Sequence, residues 1–344
     1  HLSFERSCAL GMTCIIGEFF FALSESQSPV RLSAPAGDLH VNSGSSLPPY
    51  DKPWLSISEQ VDRLASRGLV IDDRKAAEAM LWHLNYYRFS GYCLAFETNR
   101  HQFREGTKFG QVIAAYQFDV SLRDLLTEAL EVIEVDVRAS VAHCFGEKAG
   151  AFGYLDEKWF RPSFDHDTWM KKVQEEVDRS SELFVAHFQS TYSQYPNLPF
   201  WIATEIMSFG AVSKVFGGLL DAYQKPISAR YNMQKEDFAS ALHHLTYVRN
   251  VCAHHCRLWD RVWGIWPRLP AAKYWHPPLV PDAGRLFVTL LLTYRLLKRC
   301  SGQMLFANEW RRRFNALMRQ PPETDGALKR MGMPNDWYKH PLWV

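Results

Sequence analysis

The sequence has no cysteine framework. Its seven cysteines are Cys8, Cys14, Cys93, Cys144, Cys252, Cys256 and Cys300. An odd count with no Cys-x-x-Cys pair argues for reduced thiols and a cytoplasmic protein, not a disulfide scaffold. A zinc site needs four ligands. Cys252-x3-Cys256, with His254 and His255, supplies one half, and no second half follows, so no metal and no cofactor is expected. Long hydrophobic runs are also missing. A spanning helix needs ~18–20 apolar residues, whereas Leu286–Leu292 is short and lies between Arg285 and Arg295, so no membrane partner is expected. There is almost no net charge: 39 Lys and Arg against 37 Asp and Glu leave +2. A nucleic acid would therefore be held by a local patch and not by a global field. Alternating strand patterns are nearly absent, and no internal repeat is found.

What is present is a large aromatic core in a chain that is 47% hydrophobic, with 12 Trp, 14 Tyr and 22 Phe. Residues 1–49 read as an upstream, non-core extension. Cys8–Leu23 is mostly apolar and follows Arg6, like a weak secretory signal interrupted by Glu18, and residues 24–49 are rich in Ser, Pro, Gly and Asn. Folding is expected from Tyr50. Ser56-Ile57-Ser58-Glu59 reads as a capping box, with a helix that Gly68 stops. A second helix is expected over Asp73–Asn85, followed by the aromatic segment Asn85–Tyr92. From Val112 to Val141 apolar residues step by three or four, a long helix bounded by Gly146 and Gly150. Further helices are expected at Phe164–Phe188, Pro199–Met207, Ala211–Leu220, Lys235–Trp259, Asp282–Cys300 and Asn308–Arg319, with a structured loop at Pro267–Pro281. The fold class is all-α.

Chemistry concentrates in Arg249-Asn250-Val251-Cys252-Ala253-His254-His255-Cys256-Arg257. At 100° per residue Asn250 and His254 share a helix face, and Arg249 lies about 140° from His254. Arg binds phosphate as a permanent cation. An imidazole, with its reference pKa of ~6.5, moves protons near neutral pH. The set suits RNA scission by the RNA's own 2′-hydroxyl, with Arg249, His254 and Asn250 as the catalytic candidates. His255, Arg257, Glu205 and Arg138 are candidates for support. One Arg and one imidazole make half of an acid/base pair, which two copies in a symmetric dimer would complete. Arg-x4-His is a common spacing, so a buried polar network or a solvated helix face is the competing reading.

The chain resembles the Abi-like proteins of bacterial abortive infection, of the AbiD/AbiF type. The resemblance rests on Arg249–Asp260, on Asn85-Tyr86-Tyr87-Arg88-Phe89-Ser90-Gly91-Tyr92, and on Tyr116-x-Phe118-Asp119-x3-Arg123 with Glu131-x2-Glu134-x3-Arg138. Glu205-x2-Ser208-Phe209-Gly210 and Lys52-Pro53 with Ser56–Gly68 also match blocks of that family. The resemblance covers most of residues 50–260 and implies a HEPN-like helical bundle. The organisation expected is an N-terminal helical subdomain at 50–105, a HEPN-like domain at 106–262 and, where no block of that family is found after Pro267, a C-terminal helical extension at 263–344. It further implies a metal-independent endoribonuclease of anti-phage defence, acting as a toxin and a homodimer, with RNA as substrate. A small non-coding RNA is implied as a regulatory partner. Arg249 and His254 carry over, with Asn250 as the polar second position, and His255 fits the looser Arg-x5-His spacing.

Arg88, Arg257 and Arg261 are the further RNA-binding candidates. Arg88 reads either as a contact to RNA or as a core Arg packed on Tyr86 and Tyr92. Arg138 reads either as a second cation or as the i−4 partner of Glu134, and Glu205 either as a support for the motif or as a cap on the turn at Phe209-Gly210. The basic residues Lys298, Arg299 and Arg311-Arg312-Arg313 read as a solvated face or an RNA patch. A different class of function, binding a structured RNA without cutting it, uses the same residues.

Overall fold

The computed structural model describes residues 49–344. The N-terminal apolar stretch and most of the extension read from the sequence lie outside the described residues. Leu55–Val344 form one compact unit. It takes in residues of all three segments that the sequence divides at 105 and 262.

The chain enters α1 (Ile57–Ser66) through the expected box. Ser56 Oγ accepts from the Glu59 N–H, and Glu59 reaches back to the Ser56 N–H at 2.7 Å. Gly68, at φ +93°, ends this helix in a conformation that L side chains avoid. α2 (Arg74–Leu84) is capped by Asp73. The aromatic segment is itself a helix, α3 (Tyr86–Cys93), started by Asn85, whose side chain accepts the Tyr87 N–H at 2.8 Å. A two-stranded hairpin, β1 (Glu97–Asn99) and β2 (Gln102–Phe103), follows. Strands of two and three residues are too short to show alternation, so the sequence did not mark them.

The axis of the fold is α4 (Phe109–Ala149), 41 residues long. At 1.5 Å per residue it spans about 60 Å. Its apolar stripe is fully buried at Val112, Ala115, Leu122, Ala129, Ile133, Val137 and Val141. The expected helix Phe164–Phe188 is two helices, α5 (His166–Arg179) and α6 (Leu183–Thr191), because Ser180 adopts extended backbone between them. α7 (Phe200–Ile206) and α8 (Phe209–Gly218) are separated by Ser208, whose Oγ caps α8. α9 (Asp221–Arg230) was masked in the sequence by Pro226 inside it.

α10 (Lys235–Ala253) buries Phe238, Leu242, Leu245 and Val248 as their spacing predicts. α11 (Leu286–Leu297) and α12 (Met304–Leu317) follow, with a four-residue α13 (Ala327–Arg330). α4 packs against α3, α7, α8, α9, α10, α11 and α12. The sheet is confined to the one hairpin among the described residues, so the class is all-α. No helix of the described residues is long and apolar enough to cross a membrane.

The tryptophan-rich loop is core at Trp263 and Trp275, both buried. The basic residues near the end are largely engaged, and Lys298 and Arg311 both lie over the Tyr294 ring. Arg312 pairs with Glu309 at 2.6 Å, Arg313 pairs with Glu128 at 2.5 Å, and Arg311 donates to the Trp343 carbonyl.

Candidate functional site

α10 runs against α4, and its last turn carries the motif. The helix does not continue to Trp259 as the apolar spacing suggests; it stops at Ala253. His254 caps it, with its N–H on the Asn250 carbonyl at 3.0 Å. His255 then turns left-handed, at φ +53°. The Cys256 N–H bonds the Val251 carbonyl and the His255 N–H bonds that of Cys252, at 3.0 and 2.9 Å. This pair of bonds is a Schellman termination, in which the left-handed residue is usually Gly. Here a histidine occupies it. A Cβ at such a φ costs free energy, so the sequence keeps an imidazole where backbone conformation alone would favour its loss.

Three arginines and a buried carboxylate fix the turn that follows. Arg88, from α3, donates to the His255 carbonyl at 2.5 Å. Its side chain is exposed, so it is not the core residue that its aromatic neighbours suggested. Arg257 donates to the Gly91 carbonyl, and Arg261 donates to the Arg257 carbonyl at 2.7 Å. Asp119, wholly buried on α4, accepts the Leu258 and Trp259 N–H groups at 3.0 and 2.8 Å, the Tyr92 hydroxyl at 2.8 Å and Arg123 at 2.5 Å. Burial pushes the Asp119 carboxyl above its ordinary range, against the Trp259 N–H, Arg123 and Tyr92. Asp260, also left-handed, holds Arg330 at 3.0 Å and Arg285 at 3.4 Å.

The motif side chains stand apart from this buried frame. Asn250, His254 and His255 are exposed. Their side chains make no hydrogen bond or ion pair with the described residues. Arg249 is 49% exposed, and its nearest carboxylate oxygen is Glu134 Oε2 at 3.7 Å. Glu134 gives its other oxygen to Arg138 at 2.6 Å, the expected i−4 pair. Arg138 also donates to the carbonyls of Met207 and Glu205, at 2.9 and 3.4 Å. Glu205 thus meets this network through its backbone. The turn before α8 is capped not by Glu205 but by Ser208, whose own N–H is taken by Glu176 at 2.8 Å. A buried polar network therefore describes Asp119 and Arg123, not Arg249 and the imidazoles.

Cys252 is buried, which pushes its thiol up to about 12. Its Sγ and those of Cys256 and the neighbouring imidazoles do not form a ligand cluster. Among the described residues, the group close enough to hold an ion is Glu157, His166 and Asp167, elsewhere in the fold, and there His166 Nε2 already meets the Tyr154 carbonyl at 2.8 Å.

Asp119, Arg123 and Glu134 contact the motif and the turn after it but are not among the candidates chosen from the sequence. An acid and a base four apart, set among the buried positions Ala115, Phe118 and Leu122, are the signal that marks the first two. Beside the motif, α2, α3, α4 and the end of α10 enclose a cleft of about 680 Å3, with Arg88, Asp124, Ala253 and His255 in its walls.

No curated protein and no solved structure matches the chain. A family model does match, that of the Abi-like proteins, over residues 79–260. The matched stretch opens within α2, takes in α3 and the whole of α4, and closes on Asp260, the last residue of the turn that Asp119 and the three arginines hold in place. It covers just over half of the 344 residues, and the chain belongs to the Abi-like protein family.

Proposed function

We propose that this protein is a metal-independent endoribonuclease of a bacterial abortive-infection system, of the HEPN type, working as a homodimer on RNA. The observation that carries the reading is the exposure of Arg249, Asn250, His254 and His255 at the end of α10, just before a turn whose Leu258 and Trp259 N–H groups buried Asp119 holds. A buried polar network would spend such residues on partners. These are presented to solvent, and one of them occupies a strained backbone position.

In the reaction, an imidazole takes the proton from a ribose 2′-hydroxyl. The 2′-oxygen attacks the adjacent phosphorus, and the bond to the 5′-oxygen breaks. A second imidazole returns a proton to that leaving oxygen. The products are a 2′,3′-cyclic phosphate and a 5′-hydroxyl. Arg249 offsets the charge gathering on the phosphorane, an effect worth ~3–4 kcal/mol for one well-placed contact. A second copy of the chain brings a second Arg249 and His254 to the same phosphate. Glu134, at 3.7 Å, orients Arg249 without neutralising it through a tight pair.

The test is incubation of the purified protein with labelled total RNA in EDTA, beside Arg249→Ala and His254→Ala. Cleavage by the unaltered protein alone, with cyclic phosphate ends, is expected. RNA that co-purifies and stays intact would replace the nuclease by a non-catalytic RNA-binding protein that holds a small non-coding RNA through the same residues.

A further inference from the structure

We infer that the cleft beside the motif is a base subsite that takes an unpaired guanine next to the phosphate that Arg249 binds. The inference rests on the nuclease reading for that phosphate, and on the cleft's own chemistry for the base. Arg249 and Ala253 are four residues apart on α10, so they share a face about one helical turn, ~6 Å, apart. Ala253 lines the cleft, so the cleft opens within one turn of Arg249. Its volume, about 680 Å3, falls within the ~300–1,000 Å3 of small-molecule sites. Leu84, Tyr116 and Val120 supply apolar wall against which a flat ring can lie.

The polar groups of the cleft decide which base. Most of its charges are already engaged. Arg123 holds Asp119, Arg88 holds the His255 carbonyl, and Glu128 holds Arg313. His83, His255 and Asp124 remain, all exposed, with no side-chain hydrogen bond or ion pair to the described residues, and Asp124 is the one carboxylate among them. An ionised carboxylate only accepts, and it has two oxygens to offer side by side. Guanine is the base whose Watson–Crick edge carries two adjacent donors, N1–H and the 2-amino group. Bound in a plane, these two donors meet both oxygens of Asp124, and the His83 imidazole lies in the same cleft for the ring's acceptors. A base so read must be unpaired, because pairing would consume the same edge. An unpartnered carboxylate in a phosphate-binding cleft otherwise only repels RNA. Asp124 thus becomes a residue that sets where the chain is cut.

The experiment is a binding titration that cannot be confused with cleavage. The probes are 2′-O-methyl pentanucleotides of uridine with one central guanosine, inosine or adenosine, read by fluorescence anisotropy. The methyl group blocks 2′-attack. Inosine is guanosine without the 2-amino group, so ring size and stacking are held constant. Guanosine should bind about tenfold tighter than inosine, the scale of one hydrogen bond to a charged acceptor, and tighter still than adenosine, which carries neither donor. Asp124→Ala should bring the three probes to one affinity, and that affinity should exceed the native one for adenosine because a repelling charge is gone. A carboxylate with only a general electrostatic role would shift all three probes alike and leave their ratios unchanged. Equal binding of guanosine and inosine by the native protein, no binding of any probe, or a guanosine preference that survives Asp124→Ala would overturn the subsite. Cleavage without a guanosine preference would remove the subsite and leave the nuclease; a preference without cleavage would do the reverse.

Discussion

Replacing Asp119 by Ala should release the turn that follows His254. Asp119 is wholly buried and receives four donors, two of them the backbone N–H groups of Leu258 and Trp259. Without it, Arg123 keeps only long contacts, 3.4 Å to the Tyr92 hydroxyl and 3.4 Å to the Cys256 carbonyl. Breaking a buried ion pair by removing one partner costs ~3–5 kcal/mol. The two orphaned N–H groups add to this, less what water entering the space restores. The expected loss is on the order of 4 kcal/mol. At about 2 °C per kcal/mol for a chain of this size, Tm should fall by on the order of 8 °C. The assay is thermal and urea unfolding followed by circular dichroism, with Arg123→Met added as a second variant. Met removes the uncompensated charge, so Arg123→Met in the Asp119→Ala background should recover part of the loss. RNA cleavage should fall with the stability of the turn, although Asp119 touches no substrate. A Tm within about 2 °C of the native value, or strictly additive costs for the two substitutions, would refute the account of Asp119 as the anchor of the turn.

Two further outcomes follow from the geometry. His255→Gly removes the Cβ from a left-handed position, a relief of ~1 kcal/mol that the extra freedom of Gly in the unfolded chain partly cancels; unfolding should show unchanged or slightly raised stability, while the cleavage rate drops at least about tenfold if the imidazole takes part in proton transfer. His244 sits fully buried between the Ile265 carbonyl and Thr289 Oγ1, at 2.7 and 2.9 Å, and burial lowers its pKa to about 4. Below pH 6.5 the unfolded chain binds a proton that the folded one refuses, so stability is full above that pH and falls as pH drops towards 4. The loss is on the order of 3 kcal/mol, and His244→Gln should flatten that part of the urea-melt pH profile.

The helices with strong spacing were legible in the residues. The capping box at Ser56, the long stripe of α4 and the inward face of α10 all form where the sequence places them. The misses have local causes. Spacing cannot see the end of α10, because Leu258 and Trp259 continue the apolar pattern while Asp119, 139 residues away, takes the Leu258 N–H into a turn. Pro226 concealed α9, and Ser180 divides what periodicity joins. The motif residues stood out in the sequence by type and spacing. The positions of Arg88 and Arg257 were not, since their partners are backbone carbonyls, which carry no sequence signal.

The grip of Asp260 on Arg285 and Arg330 has a consequence in time. Asp260 closes the turn that presents the imidazoles, yet its partner Arg330 lies 70 residues further along the chain. A ribosome adding ~5–20 residues per second needs about 4–14 s to cover that distance. α10 and α4 are both synthesised by then, and the apolar face between them can close early. The clasp that Asp260 makes with Arg330 cannot. During those seconds a nascent chain holds this turn without its outer brace, so the order of synthesis itself delays the finished turn until the polypeptide has passed residue 330.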